Sequence, residues 1–123
     1  MDSSLQPNIL IVDDDQNLCS ILSAELQCLK LNADYSLNGL DALNKINHNH
    51  YSLVILNVIM PGMKGDEVLS KIKEYDSSLP VIMLTGYSVK EMEIKCARLG
   101  AEAYFTKPYD FDELLDAIIK YFR

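Results

Sequence analysis

Five polar residues stand where short apolar runs stop: Asp13 and Asp14, Asn57, Thr85 and Lys107. Two adjacent carboxylates beside an oxygen donor make a site for a hard divalent cation, with magnesium the usual occupant. A lysine and a threonine opposite them would hold the oxygens of a phosphoryl group. Asn57 differs in kind, because an amide carries neither charge nor a nucleophilic oxygen. Each residue also has a plainer explanation. Asp15, next in the acidic run, reads as a helix cap, Thr85 suits a turn cap, and Lys107 suits a solvated surface position. The chemical reading gains its weight from the coincidence of four separate run ends.

Those ends need elements to bring them together. Ile9-Leu10-Ile11-Val12, Leu53-Val54-Ile55-Leu56 and Pro80-Val81-Ile82-Met83-Leu84 are apolar runs too short for helices and rich in β-branched residues, as buried strands are. Asn32–Ser36 is a polar edge-strand candidate, and Ala101–Phe105 completes a set of five. Between them lie helical patterns. Leu18, Leu22, Leu26 and Leu29 follow the cap Asp15, and Leu40, Leu43 and Ile46 follow the Asn38-Gly39 turn. Val68, Leu69 and Ile72 mark a third helix after the Pro61-Gly62 and Gly65 breaks, with Gly65 and Gly86 read as serving backbone geometry. Ser88-x-x-Glu91 predicts a capping box for a helix through Leu99 that Gly100 closes. Asp110-x-x-Glu113 predicts another, before the face Leu114, Leu115, Ile118 and Phe122. Alternation through short connections predicts an α/β fold, a doubly wound three-layer sandwich around a parallel sheet. In such a sheet the carboxyl ends of the strands share one edge, where ligands bind.

Composition narrows the function classes. A chain of 123 residues fits one domain, 1–123, with its core at about 8–122. No apolar run reaches the ~20 residues needed to cross a bilayer, and MDSSLQPN lacks the regions of a signal peptide. Cys19, Cys28 and Cys96 are odd in number without C-x-x-C spacing, so no disulfide framework or zinc site is expected; helical positions give them a small apolar role, and a reducing cytoplasm fits. With 18 acidic against 11 basic residues, the net charge of −7 argues against direct nucleic-acid binding. His48 and His50 read as solvent-facing loop residues, and Met60, Met63, Met83 and Met92 as packing.

The combination IVDDD, LNVIMPGMKG, LTG and YFTKP, in this order and spacing, resembles the response-regulator receiver domains of two-component signalling over residues 8–122. The resemblance implies a flavodoxin-like five-stranded parallel sheet of order 2-1-3-4-5 and a magnesium-assisted phosphoacceptor site. It implies that Asp13, Asp14, position 57 and the backbone carbonyl of Ile59 hold Mg2+. Thr85 then matches the switch hydroxyl, Tyr104 the switch aromatic, Lys107 the phosphoryl-binding lysine, and Pro108 the proline after a cis peptide. Phosphoryl oxygens would recruit Thr85 and Tyr104 would swing inward. The output face would be Val89–Leu99, Ala101–Phe105 and Asp110–Arg123. The implied partners are a histidine kinase or phosphotransfer protein, a downstream output protein or domain, and a second copy through the last helices; no enzymatic turnover is expected.

The family's phosphoacceptor is an aspartate, and this sequence has Asn57. An amide oxygen is a far poorer nucleophile than a carboxylate, so phosphorylation at this position is not expected and magnesium affinity should fall. Asn57 can also hydrogen-bond Lys107, which would leave the site neutral and quiet. Two accounts of Asn57 stand open: an introduced Asp→Asn change, favoured because Asp13, Asp14, Thr85 and Lys107 all remain, or a natural pseudo-receiver working as an interaction module. An enzyme of another class, an aspartate-nucleophile phosphatase of the haloacid-dehalogenase type, matches D-x-D at Asp13 and Asp15. It lacks support from a cap domain or from an acidic pair after the fourth strand.

Overall fold

The computed structural model describes residues 8–123, so most of the polar leader lies outside the described residues. Strands and helices alternate strictly: β1 (Asn8–Val12), α1 (Gln16–Cys28), β2 (Asn32–Ser36), α2 (Gly39–His48), β3 (Leu53–Leu56), α3 (Gly65–Tyr75), β4 (Val81–Thr85), α4 (Lys90–Arg98), β5 (Ala103–Thr106) and α5 (Phe111–Tyr121). All strand pairs are parallel, and the order is β2-β1-β3-β4-β5, as the resemblance implied.

The period-2 alternation of a strand sorts each apolar run onto two faces. Leu10, Val12, Val54, Leu56, Val81 and Met83 face one way and pack under Ala42, Ile46, Val68, Leu69, Ile72 and Cys96 of α2, α3 and α4. Ile9, Ile11, Leu53, Ile55, Ile82 and Leu84 face the other way, under Cys19, Leu22, Leu26, Leu114 and Ile118 of α1 and α5. Strands covered on both faces have no polar side to show, which is why the runs are continuous. Polar β2 lies at one edge, and β5, at the other, is only half-buried.

Several local expectations need correction. Leu29 and Leu40 are exposed, because α1 buries Cys19, Leu22 and Leu26 and α2 buries Gly39, Ala42 and Ile46. Ser88 does not cap: α4 starts after Val89, with no side-chain cap hydrogen bond. His48 belongs to the last turn of α2, its Nδ1 2.8 Å from the carbonyl oxygen of Asn44. Cys28 is exposed rather than buried. β5 begins at Ala103 because Ala101 still belongs to the helix stop. There Gly100 (φ 107°) donates its N–H to Ala97 O and Ala101 donates to Cys96 O, the paired bonds of a Schellman motif.

Candidate functional site

Parallel strands place their carboxyl ends on one edge, and sheet-like backbone bonds run one residue past them. Asp13 N–H donates to Ser36 O (3.1 Å), Asn57 N–H to Val12 O (2.9 Å) and Lys107 N–H to Thr85 O (2.8 Å). Asp13, Asn57, Thr85 and Lys107 are therefore held by the sheet itself. Asp15 caps α1 by accepting from Leu18 N–H at 3.2 Å, which turns the acidic run sharply away from the edge. On the far side, α3 starts against the floor of the site. A Cβ on Gly65 would fall 2.0 Å from Asn57 O and 2.7 Å from Val58 Cα, so only glycine fits this approach. Gly86, by contrast, has nothing within 4 Å of such an atom and no positive φ, so no backbone demand explains it.

Asp13 is the hub. It is 2% exposed. Its Oδ2 accepts from Lys107 Nζ at 2.7 Å, and its Oδ1 accepts from Asp15 N–H at 2.9 Å and Asn57 Nδ2 at 3.4 Å. Burial pushes the Asp13 carboxyl above its ordinary range, and the Lys107 and Asp15 bonds offset only part of that. Asn57 is also buried, and its Nδ2 donates to Ile59 O at 2.9 Å. Both partners of the amide are acceptors, so its NH2 end must face them. The expected Asn57–Lys107 bond is not formed. The ammonium goes to the carboxylate, because a charged acceptor outcompetes a neutral amide.

Asp14 lies exposed beside this pair. Asp13, Asp14 and the Ile59 carbonyl are the hard oxygens a magnesium ion takes. Two of the three already accept from the Asn57 amide. Among the described residues no group of three His, Cys, Asp or Glu could hold a metal. The donor set thus fits magnesium in kind and falls one carboxylate short at position 57.

Opposite the acids, Asn57, Ile59, Thr85, Gly86, Tyr87 and Lys107 line an open cleft of about 340 Å3. Thr85 is buried, and its Oγ1 accepts from Tyr87 N–H at 3.1 Å, so the hydroxyl serves a turn while bordering the cleft. Tyr104 Oη donates to Tyr87 O at 2.6 Å, and burial, then the neighbouring Cys96 and Glu93, raise its pKa. Tyr87 is thus gripped from both sides, by Thr85 in the cleft and by Tyr104 on β5. Its identity gave no sequence signal, since only its backbone is used. The Lys107–Pro108 peptide is cis. Cys19 donates its thiol to Asp13 O at 3.4 Å; burial, then the charges of Asp13 and Asp15, push its pKa up to about 12, so it is an inert packing group.

The family model of the response regulator receiver domain matches residues 9–119. Sporulation initiation phosphotransferase F of Bacillus subtilis (strain 168) is 35% identical over 117 residues, covering 95% of this chain and 94% of its own length. The transcriptional regulatory protein ZraR of Klebsiella oxytoca is 38% identical over 112 residues, which cover 91% of this chain. This chain spans 25% of that protein and about half of other regulators it matches, such as ArlR of Staphylococcus aureus (50%). Among solved structures, a CheY-like receiver domain protein of Methanospirillum hungatei JF-1 superposes with a TM-score of 0.91 at 29% identity, covering 94% of this chain and 92% of its own. The response regulator TrrA of Thermotoga maritima, in complex with Mg(2+)-BeF, superposes with a TM-score of 0.86 at 36% identity, covering 94% and 98%.

Proposed function

Because this chain belongs to the response regulator receiver domain family of two-component signalling, we propose that it is a receiver kept unphosphorylated by the amide at position 57. The observation that carries this reading is the placement of Asn57 Nδ2, 2.9 Å from Ile59 O and 3.4 Å from Asp13 Oδ1. An aspartate at this position would present a charged oxygen to phosphorus. The Asn lone pair is delocalised into the amide, so no bond to phosphorus forms. The site instead satisfies itself: amide to carbonyl and carboxylate, ammonium to carboxylate.

In the Asn57→Asp chain the same residues take working roles. The introduced carboxylate is the acceptor. Lys107 turns from Asp13 to a phosphoryl oxygen, and the Thr85 hydroxyl donates to another, so that its hold on Tyr87 N–H changes. Tyr104, bonded to Tyr87 O, carries that change to α4, β5 and α5, the proposed output face. Magnesium, held by Asp13, Asp14, residue 57 and the Ile59 carbonyl, would supply positive charge against the phosphoryl oxygens. The magnesium and beryllofluoride bound by the Thermotoga relative support carrying this ligand class over.

The proposed partners are a histidine kinase or phosphotransfer protein, a downstream output protein or domain, and a second copy through the last helices. No substrate turnover and no direct nucleic-acid contact are proposed, and the proposed setting is the cytoplasm. No helix of the described residues is long and apolar enough to cross a membrane. The self-satisfied site also favours a second reading, a pseudo-receiver that acts through protein contact alone. The codon at position 57 of the natural gene separates the two: aspartate marks an introduced change, which we favour, and asparagine a natural pseudo-receiver.

Acetyl phosphate, or beryllofluoride with magnesium, added to the chain and to its Asn57→Asp variant tests the proposal. With acetyl phosphate only the variant should gain a phosphoryl group, releasing acetate, by intact-mass measurement, and with beryllofluoride and magnesium only the variant should show shifted amide resonances. Equal labelling of both would place the chemistry at another residue and sink the reading. Turnover of a chromogenic phosphate ester by the chain as written would move it to the phosphatase class.

A further inference from the structure

Lys107 is the working cation of the site, yet it sits on the connection between β5 and α5, outside the regular elements. Two contacts tie this connection to the acidic loop and to the helix that follows it. One is the ion pair of Lys107 with Asp13, 2.7 Å long, which must break when Lys107 turns to a phosphoryl oxygen. The other lies two residues on. Tyr109 Oη donates to Glu25 Oε1 at 2.9 Å, joining the Lys107 connection to α1 across 84 residues of sequence. Helix α1 begins at the end of Asp13-Asp14-Asp15, with Asp15 as its cap. The Tyr109 ring packs on the same core as Cys19, Leu22 and Leu26 of α1, which fixes the phenol beside Glu25.

We propose that Tyr109 and Glu25 form a positioning pair for Lys107, fastening its loop to the helix that follows the acidic residues. The proposal rests on the receiver reading above and deepens it, because it assigns residues outside the motifs to the same site. The bond does not involve the ammonium, so it survives the moment at which the Lys107–Asp13 pair opens. The side chain then swings while its backbone stays. Burial, then the hydrogen bond and charge of Glu25, push the Tyr109 phenol pKa well up, so the donor stays protonated at any working pH. The loop is held from within by Lys107 N–H on Thr85 O, 2.8 Å, and the phenol closes its outer side.

The test uses the Asn57→Asp chain as parent. Tyr109→Phe keeps the ring and removes only the donor, Glu25→Ala removes the acceptor, and Glu25→Gln keeps an acceptor oxygen without charge. Phosphorylation by acetyl phosphate at saturating magnesium should slow about 10-fold in Tyr109→Phe and Glu25→Ala, as loss of an orienting partner does. Glu25→Gln should restore most of the rate. Magnesium affinity, set by Asp13, Asp14 and residue 57, and the Tm should stay near parental values. An unchanged rate in Tyr109→Phe overturns the proposal. So does a rate that falls in step with both magnesium affinity and Tm, since that is general destabilisation. If the parent takes no phosphoryl group, the receiver reading fails, and the pair is then judged in the chain as written. Hydrogen exchange of the Lys107 amide should be faster in Tyr109→Phe than in the chain as written, and equal exchange overturns the pair.

Discussion

Asn57, Asp13 and Lys107 form one electrostatic unit, and each answers differently to substitution. Removing the Lys107 ammonium leaves Asp13, whose side chain is 3% exposed, without its cation. Lys107→Ala should therefore lower the free energy of unfolding by about 1–3 kcal/mol, the cost of stranding a buried acceptor. The figure stays below that of a fully buried pair because Lys107 is 24% exposed and water takes part of its place. Urea unfolding of the variant measures it. Gly65→Ala should cost at least about 1–3 kcal/mol, since the new Cβ would meet backbone 2.0 Å away rather than a yielding side chain. The same variant should displace Asn57, read as shifted amide resonances for Asn57 and Val58. The motif residues were legible because their types are chemical. The partner of Lys107 was not, since the choice between a carboxylate and an amide depends on distances that no spacing encodes.

At the scale of elements, the two predicted capping boxes had opposite outcomes. Asp110 accepts from Glu113 N–H at 3.1 Å and caps α5, whereas Ser88 makes no cap for α4. Asp110→Ala should therefore cost about 1 kcal/mol, while Ser88→Ala should leave the urea midpoint unchanged. The pair of melts checks the assignment directly. Both motifs look alike in sequence. They diverge because the connection after β4 is pinned by Thr85 and Tyr104 at Tyr87, so α4 starts beyond Ser88. Helix faces were misjudged at Leu29 and Leu40 for a related reason. A periodic pattern marks a stripe, but the sheet decides where the stripe ends.

Across the whole molecule, ion pairs outside the Asp13–Lys107 contact shape the response to acid. Burial would raise Asp66, but the hydrogen bond and charge of Lys95 overcome it and hold the carboxyl below its ordinary value of 3.8. Asp76 is lowered by its bonds to Ser78 and Arg123. A folded pKa below the unfolded one means that the unfolded chain binds more protons in that window. The stability these groups lend is full above the ordinary carboxylate range and is lost as pH falls through the lowered folded values. Asp76→Asn should accordingly melt below the parent at pH 7, and the gap should close as the pH drops below about 4. Arg123 also donates to Tyr51 O at 3.3 Å and through its backbone to Ser52 O at 3.1 Å. The end of α5 is thereby bound to the start of β3, at the opposite end of the sheet from the site.

The sequence alone determined the alternation of strands and helices, because short β-branched runs and periodic apolar faces are local consequences of burial. It also determined that the polar run ends share one edge, since in a parallel sheet a carboxyl end follows from chain direction. Tertiary structure decided the contacts that no spacing encodes: the ion pair of Lys107 with Asp13, the bond from Tyr104 to Tyr87, the bond from Tyr109 to Glu25, and, at short range, the turning of the Asn57 amide toward Ile59. Their energies come from distance and desolvation, which exist only once the sheet has brought the ends together.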